Sequence, residues 1–313
     1  MKLTIHFIII ILIGFNTVVL AQDTTLLIEN RTTTLPNVMV RSHFDYKKLL
    51  QQLKNDTSFY KAFLNLRVLN YTAYNDIQIL DKKGKAKASL LSKTTQLRSN
   101  GCRTMQIEEE TVSGDMYNTN REWNYTTAQL YASLFFTKGK VCGETNIVGN
   151  TQFSTEGKKG IEKHKEQLKM LFFNPGRKVP GIPFIGNKLD VYDERAQNYY
   201  DYKLDIVEYK GKLAYLFAIT PKQKEADKAA ANVVIDEMLT WFDIEQLTVV
   251  GRTYRMSYHA GVYDFDVQME VEMTKVGNLT VPKVLRYKGN WDVIFKKREV
   301  GIFTATLFNF SKE

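Results

Sequence analysis

The most regular pattern in the chain runs over residues 263–273, where Tyr263, Phe265, Val267, Met269, Val271 and Met273 alternate with Asp264, Asp266, Gln268, Glu270 and Glu272. Alternation over this length predicts a β-strand with one dry and one wet face, and a slip of one residue would exchange the two, so the register is fixed. Upstream, Tyr200, Tyr202, Leu204 and Ile206 alternate with charged residues before Lys210-Gly211 turns the chain into Leu213, Tyr215, Phe217 and Ile219, which predicts a hairpin. Further strands are predicted at 233–235, 244–250 and 254–258. After a turn at Gly277-Asn278 come strands at 280–287 and 291–298, joined by a turn at Lys288-Gly289-Asn290, and a last one at 302–310.

The first half is less regular. Residues 59–113 read as extended pieces parted by turn signals at Asn75-Asp76, Lys83-Gly84 and Asn100-Gly101. Two helices are predicted. One covers 44–54, with Tyr46, Leu49, Leu50 and Leu53 on one face and Ser42 and Asp45 resembling a capping box; the other covers 160–173, with Ile161, Leu168, Leu171 and Phe172 as its stripe and Asn174-Pro175-Gly176 as its stop. Residues 175–188 hold three of the six prolines and are irregular. They are either a boundary within the chain or, because Val179, Ile182, Phe184 and Ile185 are apolar, a loop packed onto the body. The fold class these elements predict is mainly β with a few helices (α+β), an antiparallel up-and-down sheet with one apolar face.

The N-terminus sets the expected compartment. Met1-Lys2, an apolar run over 7–15 and small residues at Val19-Leu20-Ala21 read as a signal peptide over 1–21, cleaved after Ala21, leaving one domain over 22–313. The apolar run falls well short of the roughly 20 residues needed to span a bilayer, which argues against the alternative of a retained anchor. In an oxidising compartment Cys102 and Cys142 are expected to form one disulfide, the alternative being two separately buried thiols.

The net charge of +9 is unevenly placed. Residues 22–174 hold 22 basic and 15 acidic side chains, whereas those from Pro175 onward hold 20 and 19. The densest basic part, 82–103, carries Lys82, Lys83, Lys85, Lys87, Lys93, Arg98 and Arg103. Such a segment suits peripheral contact with a membrane surface, or is simply the solvated face of a strand pair. No nucleic acid is expected as a partner.

Motif chemistry is sparse. No nucleophile elbow, phosphate loop, C-x-x-C or H-E-x-x-H pattern occurs, and His43, His164 and His259 are too scattered to form a metal site. Asp264 and Asp266 are spaced for acid–base work or calcium, but Glu270 and Glu272 continue the same face, which reads better as a solvated face paired with the basic positions Lys283, Arg286, Lys296 and Arg298. The Glu108-Glu109-Glu110 run and the N-x-S/T sequons carry no further meaning. The expectation is a non-enzyme with no cofactor.

Residues 199–310 contain Val234-Ile235-Asp236, Trp241-Phe242-Asp243, Tyr263-Asp264-Phe265-Asp266-Val267, Val281-Pro282, Gly289-Asn290-Trp291 and Phe295-Lys296-Lys297-Arg298-Glu299. This third of the chain resembles the exported LolA-like (outer-membrane lipoprotein carrier-like) proteins of Gram-negative bacteria. The resemblance implies a periplasmic protein built as an antiparallel half-barrel whose concave apolar side is covered by helices and, in carrier members, holds acyl chains. It also implies that Tyr263, Phe265, Val267, Met269, Val271, Met273 and Trp291 line such a site, with lipid or lipoprotein acyl chains, or other envelope proteins, as partners. The same side chains can instead form the core between sheet and helices, in an envelope interaction module with no small-molecule ligand.

Overall fold

The structure is a computed structural model that describes residues 53, 55–148, 157, 159–180, 186–222, 233–259, 263–293 and 298–313. By internal packing the chain divides into Met1–Pro36 and Asn37–Glu313, and every described residue belongs to the second unit. The signal peptide over 1–21 and nearly all of the helix predicted over 44–54 lie outside the described residues.

Among the described residues, eleven antiparallel strands form one open sheet: β1 (Asn70–Leu80), β2 (Ala86–Ser99), β3 (Cys102–Gly114), β4 (Val141–Cys142), β5 (Tyr200–Tyr209), β6 (Lys212–Pro221), β7 (Ile235–Asp243), β8 (Val249–Tyr258), β9 (Tyr263–Val276), β10 (Leu279–Val293) and β11 (Glu299–Ser311). Their spatial order is β4-β3-β2-β1-β11-β10-β9-β8-β7-β6-β5, so two meanders, β1–β4 and β5–β11, join where β1 pairs with β11. With helices α1 (Ser58–Asn65), α2 (Thr126–Phe135) and α3 (Gly160–Phe173) over its apolar face, this is the predicted half-barrel covered by helices. In the stretch 175–188, Pro175 and Val179 are buried against the body, while Ile182, Phe184 and Ile185 lie outside the described residues.

Turn chemistry explains the hairpins. Asn100-Gly101 has φ of 53° and 69°, and Lys210-Gly211 has 53° and 79°, the two-residue turn that matches strand twist. Across the β3–β4 pair, Cys102 faces Cys142 in register and the two form the expected disulfide, with Cα atoms 4.0 Å apart.

Four expectations need correction. Asn75-Asp76 is no turn: it lies within β1, where the Asn75 amide bonds Thr94 Oγ1 at 3.1 Å and satisfies itself inside the sheet. The strands predicted at 233–235 and 244–250 are instead β7 and the start of β8, because Asp243 accepts from the backbone N–H groups of Glu245 and Gln246 and closes the turn there. Lys288-Gly289-Asn290 does not turn either. β10 runs straight through it, and Gly289 faces Gly301 of β11 because the Tyr287 ring lies over it: a Cβ on Gly289 would sit 2.0 Å from Tyr287 Oη. Finally, residues 58–65 are α1 rather than extended chain, with Phe59, Ala62, Phe63 and Leu64 buried.

Helix α2 was not predicted, since Thr126-Thr127 gives no clear start signal. Its cap comes from across the molecule. The Glu299 carboxylate at the start of β11 accepts from Thr126 N at 3.0 Å, and from Thr127 N and Oγ1 at 2.8 Å, placing negative charge where the helix N-terminus favours it.

Candidate ligand-binding face

Direct cross-strand partners share a face of a sheet, so register alone defines the rungs of the inner side. One rung runs Tyr202, Ile219, Met238, Tyr254, Met269, Tyr287, Phe303, Ile77 and Leu90 across nine strands. The neighbouring rung towards one end contains Met256, Val267, Gly289 and Gly301, and the next contains Tyr258, Phe265, Trp291 and Glu299. In the other direction the rung is Leu204, Phe217, Thr240, Arg252, Val271, Leu285 and Ala305.

The expected lining residues therefore share one face. Phe265, Val267, Met269 and Val271 are at most 2% exposed, while Met273 and Trp291 are half-buried. Tyr263 belongs to β9 on the same alternation, but its side chain lies outside the described residues. Phe265 stacks on Trp291 with centroids 5.2 Å apart, and Trp291 Nε1 donates to Tyr287 Oη at 2.6 Å.

The cover over this face is largely aromatic. Phe172 of α3 stacks on Tyr287 at 4.9 Å and on Phe303 at 5.8 Å, and Tyr287 stacks on Phe303 at 4.3 Å. Tyr131 of α2 lies 4.2 Å from Phe303, and Phe63 of α1 lies 4.6 Å from Phe173. Tyr254 Oη lies 3.1 Å from Leu171 O and 2.8 Å from Met269 Sδ, so its single proton serves one of them at a time. Burial pushes this phenol well above its ordinary pKa and keeps that proton in place.

One polar group on this face was missed by sequence reasoning. Arg252 looks like an ordinary wet-face residue between Gly251 and Thr253, yet its cross-strand partners Thr240 and Val271 put it on the inner side, where it is 6% exposed. Its Nε donates to Thr240 Oγ1 at 3.0 Å, and its guanidinium lies 4.3 Å from the centre of the Phe59 ring. The signal available in the sequence was weak: Tyr254, Met256 and Tyr258 extend the alternation back to position 252.

Of the basic positions expected to pair with the acidic outer face, Arg286 does so, Arg298 Nε donates to Asn290 Oδ1 at 2.9 Å, and Lys296 lies outside the described residues. Arg286 Nη1 bridges Glu272 at 2.9 Å and Glu270 at 3.1 Å across the β9–β10 pair. Asp266 is exposed on the same side, as is His259 beyond β8. The His164 side chain and all of His43 lie outside the described residues. Among the described residues, no three His, Cys, Asp or Glu side chains come together to hold a metal ion, and no helix is long and apolar enough to cross a membrane.

The basic segment 82–103 resolves into pairs. Lys87 meets Asp115 at 3.6 Å, Lys93 meets Glu108 at 2.8 Å, Arg98 meets Glu313 at 3.6 Å, and Arg103 meets Glu144 beside the disulfide. That leaves Lys82, Lys83 and Lys85 at the β1–β2 tip with no ion pair among the described residues, so the cationic surface is one hairpin end.

Glu144 also accepts from Arg103 Nη2 at 3.2 Å and lies 3.6 Å from Arg67 Nε. Burial works to raise its pKa, but the hydrogen bond and charge of Arg103, with Arg67 and Arg98 behind it, hold it below the ordinary glutamate value. A depressed folded-state pKa gives stability that is present above the unfolded value and lost as pH falls through the folded one. Glu144→Gln is therefore expected to lower unfolding free energy by about 1–2 kcal/mol at pH 7. In urea titrations that gap should shrink as pH drops below the usual carboxylate range; a gap independent of pH would rule out the ion pair as its cause.

No protein-family model matches the sequence, and no curated protein matches it. Among solved structures, the chain is similar to a DUF1329 family protein from Desulfovibrio piger, at 12% identity over 86% of this chain and 91% of that one, with a TM-score of 0.24. It is also similar to a putative outer membrane lipoprotein-sorting protein domain from Vibrio parahaemolyticus, at 8% identity over 83% of this chain and 93% of that one, with a TM-score of 0.27.

Proposed function

We propose that this chain is an exported, periplasmic, non-catalytic protein that holds the acyl chain of a lipid or lipoprotein on the inner face of its half-barrel. The observation that carries the reading is the way α3 sits on that face. Phe172 is laid flat on Tyr287 and Phe303, and the aromatic and methionine side chains beneath it form an unbroken apolar strip from Trp291 and Phe265 to Tyr254. A flat ring inserted over such a strip fills the volume that a hydrocarbon chain would take, and methionine and aromatic side chains repack readily around a flexible ligand. The leader-like N-terminus and the LolA-like motifs of residues 199–310 support the same reading.

Chain-length dependence tests it. Each methylene buried is worth about 0.8 kcal/mol, so affinity for single-chain amphiphiles should rise about fourfold per added methylene until the strip is full. Native mass spectrometry of protein taken from its own envelope should also show co-purifying acyl species. Affinity indifferent to chain length, together with a ligand-free mass spectrum, would leave the second reading: an interaction module of the cell envelope. That reading is favoured by the full burial of Phe265, Val267, Met269 and Val271 beneath the protein's own side chains.

A further inference from the structure

A buried cation without a buried anion is costly, because desolvation of the charge is not repaid by a partner. Arg252 is such a cation. Among the described residues its only hydrogen bond is the one from Nε to Thr240, and it makes no ion pair. Neither terminal nitrogen of the fork has an acceptor among the described residues, although neither is wholly sealed from solvent. The ring of Phe59 offsets part of the cost through its π face, which cannot accept a bidentate bond.

The surroundings of Arg252 add donors and one distant acid. Burial works against its charged form, while the Tyr192 phenol and the Asp56 carboxylate favour it. Tyr192 is buried, and its hydroxyl makes no hydrogen bond among the described residues. The Asp56 carboxylate is engaged by Ser58 N and Oγ, both at 3.0 Å, and forms no ion pair with Arg252. A second guanidinium, that of Arg177, lies 5.9 Å from the Tyr192 ring centre. Two arginines and a phenol thus act on one another where the Asp56 carboxylate is already engaged by Ser58.

Position along the sheet gives this corner its meaning. Arg252, Tyr254, Met256 and Tyr258 follow one another on the inner side of β8, a span of roughly 20 Å at the usual rise per residue. The apolar strip therefore has a half-exposed aromatic end, at Tyr258 and Trp291, and a cationic end at Arg252.

We propose that the ligand of this face is an anionic amphiphile whose carboxylate or phosphate is held by the Arg252 guanidinium and the Tyr192 hydroxyl while its chain runs along β8 and β9 towards Tyr258. The proposal rests on the acyl-binding reading above and adds the headgroup chemistry and its polarity along the strip. The planar fork of Arg252 suits both anions, since each offers two oxygens to two parallel N–H groups.

Displacement of the neutral probe N-phenyl-1-naphthylamine from delipidated full-length protein tests it, using laurate, dodecyl phosphate and dodecanol as competitors of one chain length. In the wild type at least one of the two anions should half-displace the probe at a concentration at least tenfold below that of dodecanol, and the better of them identifies the headgroup. In Arg252→Met that ratio should collapse to about one, and Arg252→Lys should restore part of it. Ligand-free Arg252→Met should melt no lower than the wild type, because the substitution removes an unpaired buried charge. Equal displacement by anions and alcohol in the wild type overturns the proposal while leaving acyl binding intact. A lower melting temperature for Arg252→Met with an unchanged ratio also overturns it and makes Arg252 a structural residue. Failure of the wild type to bind the probe or any of the three amphiphiles removes the acyl-binding reading itself.

Discussion

Phe303→Ala is expected to cost about 3–5 kcal/mol, a large share of the stability of an ordinary domain. Phe303 is buried at the centre of the inner face, where its ring meets Tyr287 at 4.3 Å, Tyr131 at 4.2 Å and Phe172 at 5.8 Å. Those three rings come from β10, α2 and α3, so truncation removes a side chain that packs against both helices and the neighbouring strand. The backbone around it is held in the β1–β11–β10 ladder and cannot close the void. Urea denaturation should show a lower midpoint with a similar slope, the mark of a stability change without a change in the surface exposed. A loss below 1 kcal/mol would mean that the cover settles into the gap and that the rings are loosely packed.

The double substitution Cys102→Ser and Cys142→Ser should be nearly as severe. The bridge closes a loop of 40 residues, which corresponds to about 4 kcal/mol in the chain-entropy account. It also anchors β4, a strand of only two residues, to the sheet edge, and Glu144 follows directly behind it. Loss of the bridge therefore frees the segment that presents Glu144 to Arg103, so the pH dependence expected from Glu144 should fade in the same variant. Comparison of the two proteins under non-reducing conditions checks both effects; matching midpoints would show the loop to be held by its packing alone.

The sequence was most legible where one physical rule governed a whole segment. Alternation fixed β9, and the Lys210-Gly211 turn fixed the β5–β6 hairpin because a left-handed pair of residues has few other uses. Helix α3 carried both a stripe and a stop at Asn174-Pro175-Gly176, and it spans the predicted 160–173. Errors arose where tertiary contacts give a residue a meaning it lacks locally. Gly289 reads as a turn, but its missing side chain makes room for Tyr287. Thr126 and Thr127 carry no start signal of their own; Glu299, more than 170 residues away, supplies the cap that makes them a helix start. Asn75-Asp76 reads as a turn because its partners, Ser92 and Thr94, are known only once β2 folds back. Arg252 is the sharpest case. A guanidinium is placed in water by default, and only the register with Thr240 and Val271 reveals that it points into the fold.

The pairing of β1 with β11 bears on how the molecule is made. Asn70 meets Ser311 across a separation of 241 residues, and this single seam unites the two meanders. Each meander can zip up from local hairpins soon after synthesis, but the seam must await residues 299–311. In that interval both β1 and β10 present unsatisfied peptide groups along an open flank, a template for any neighbouring strand. Folding should accordingly be quick in its parts and slow in its last step, with self-association competing most strongly just before that step is complete.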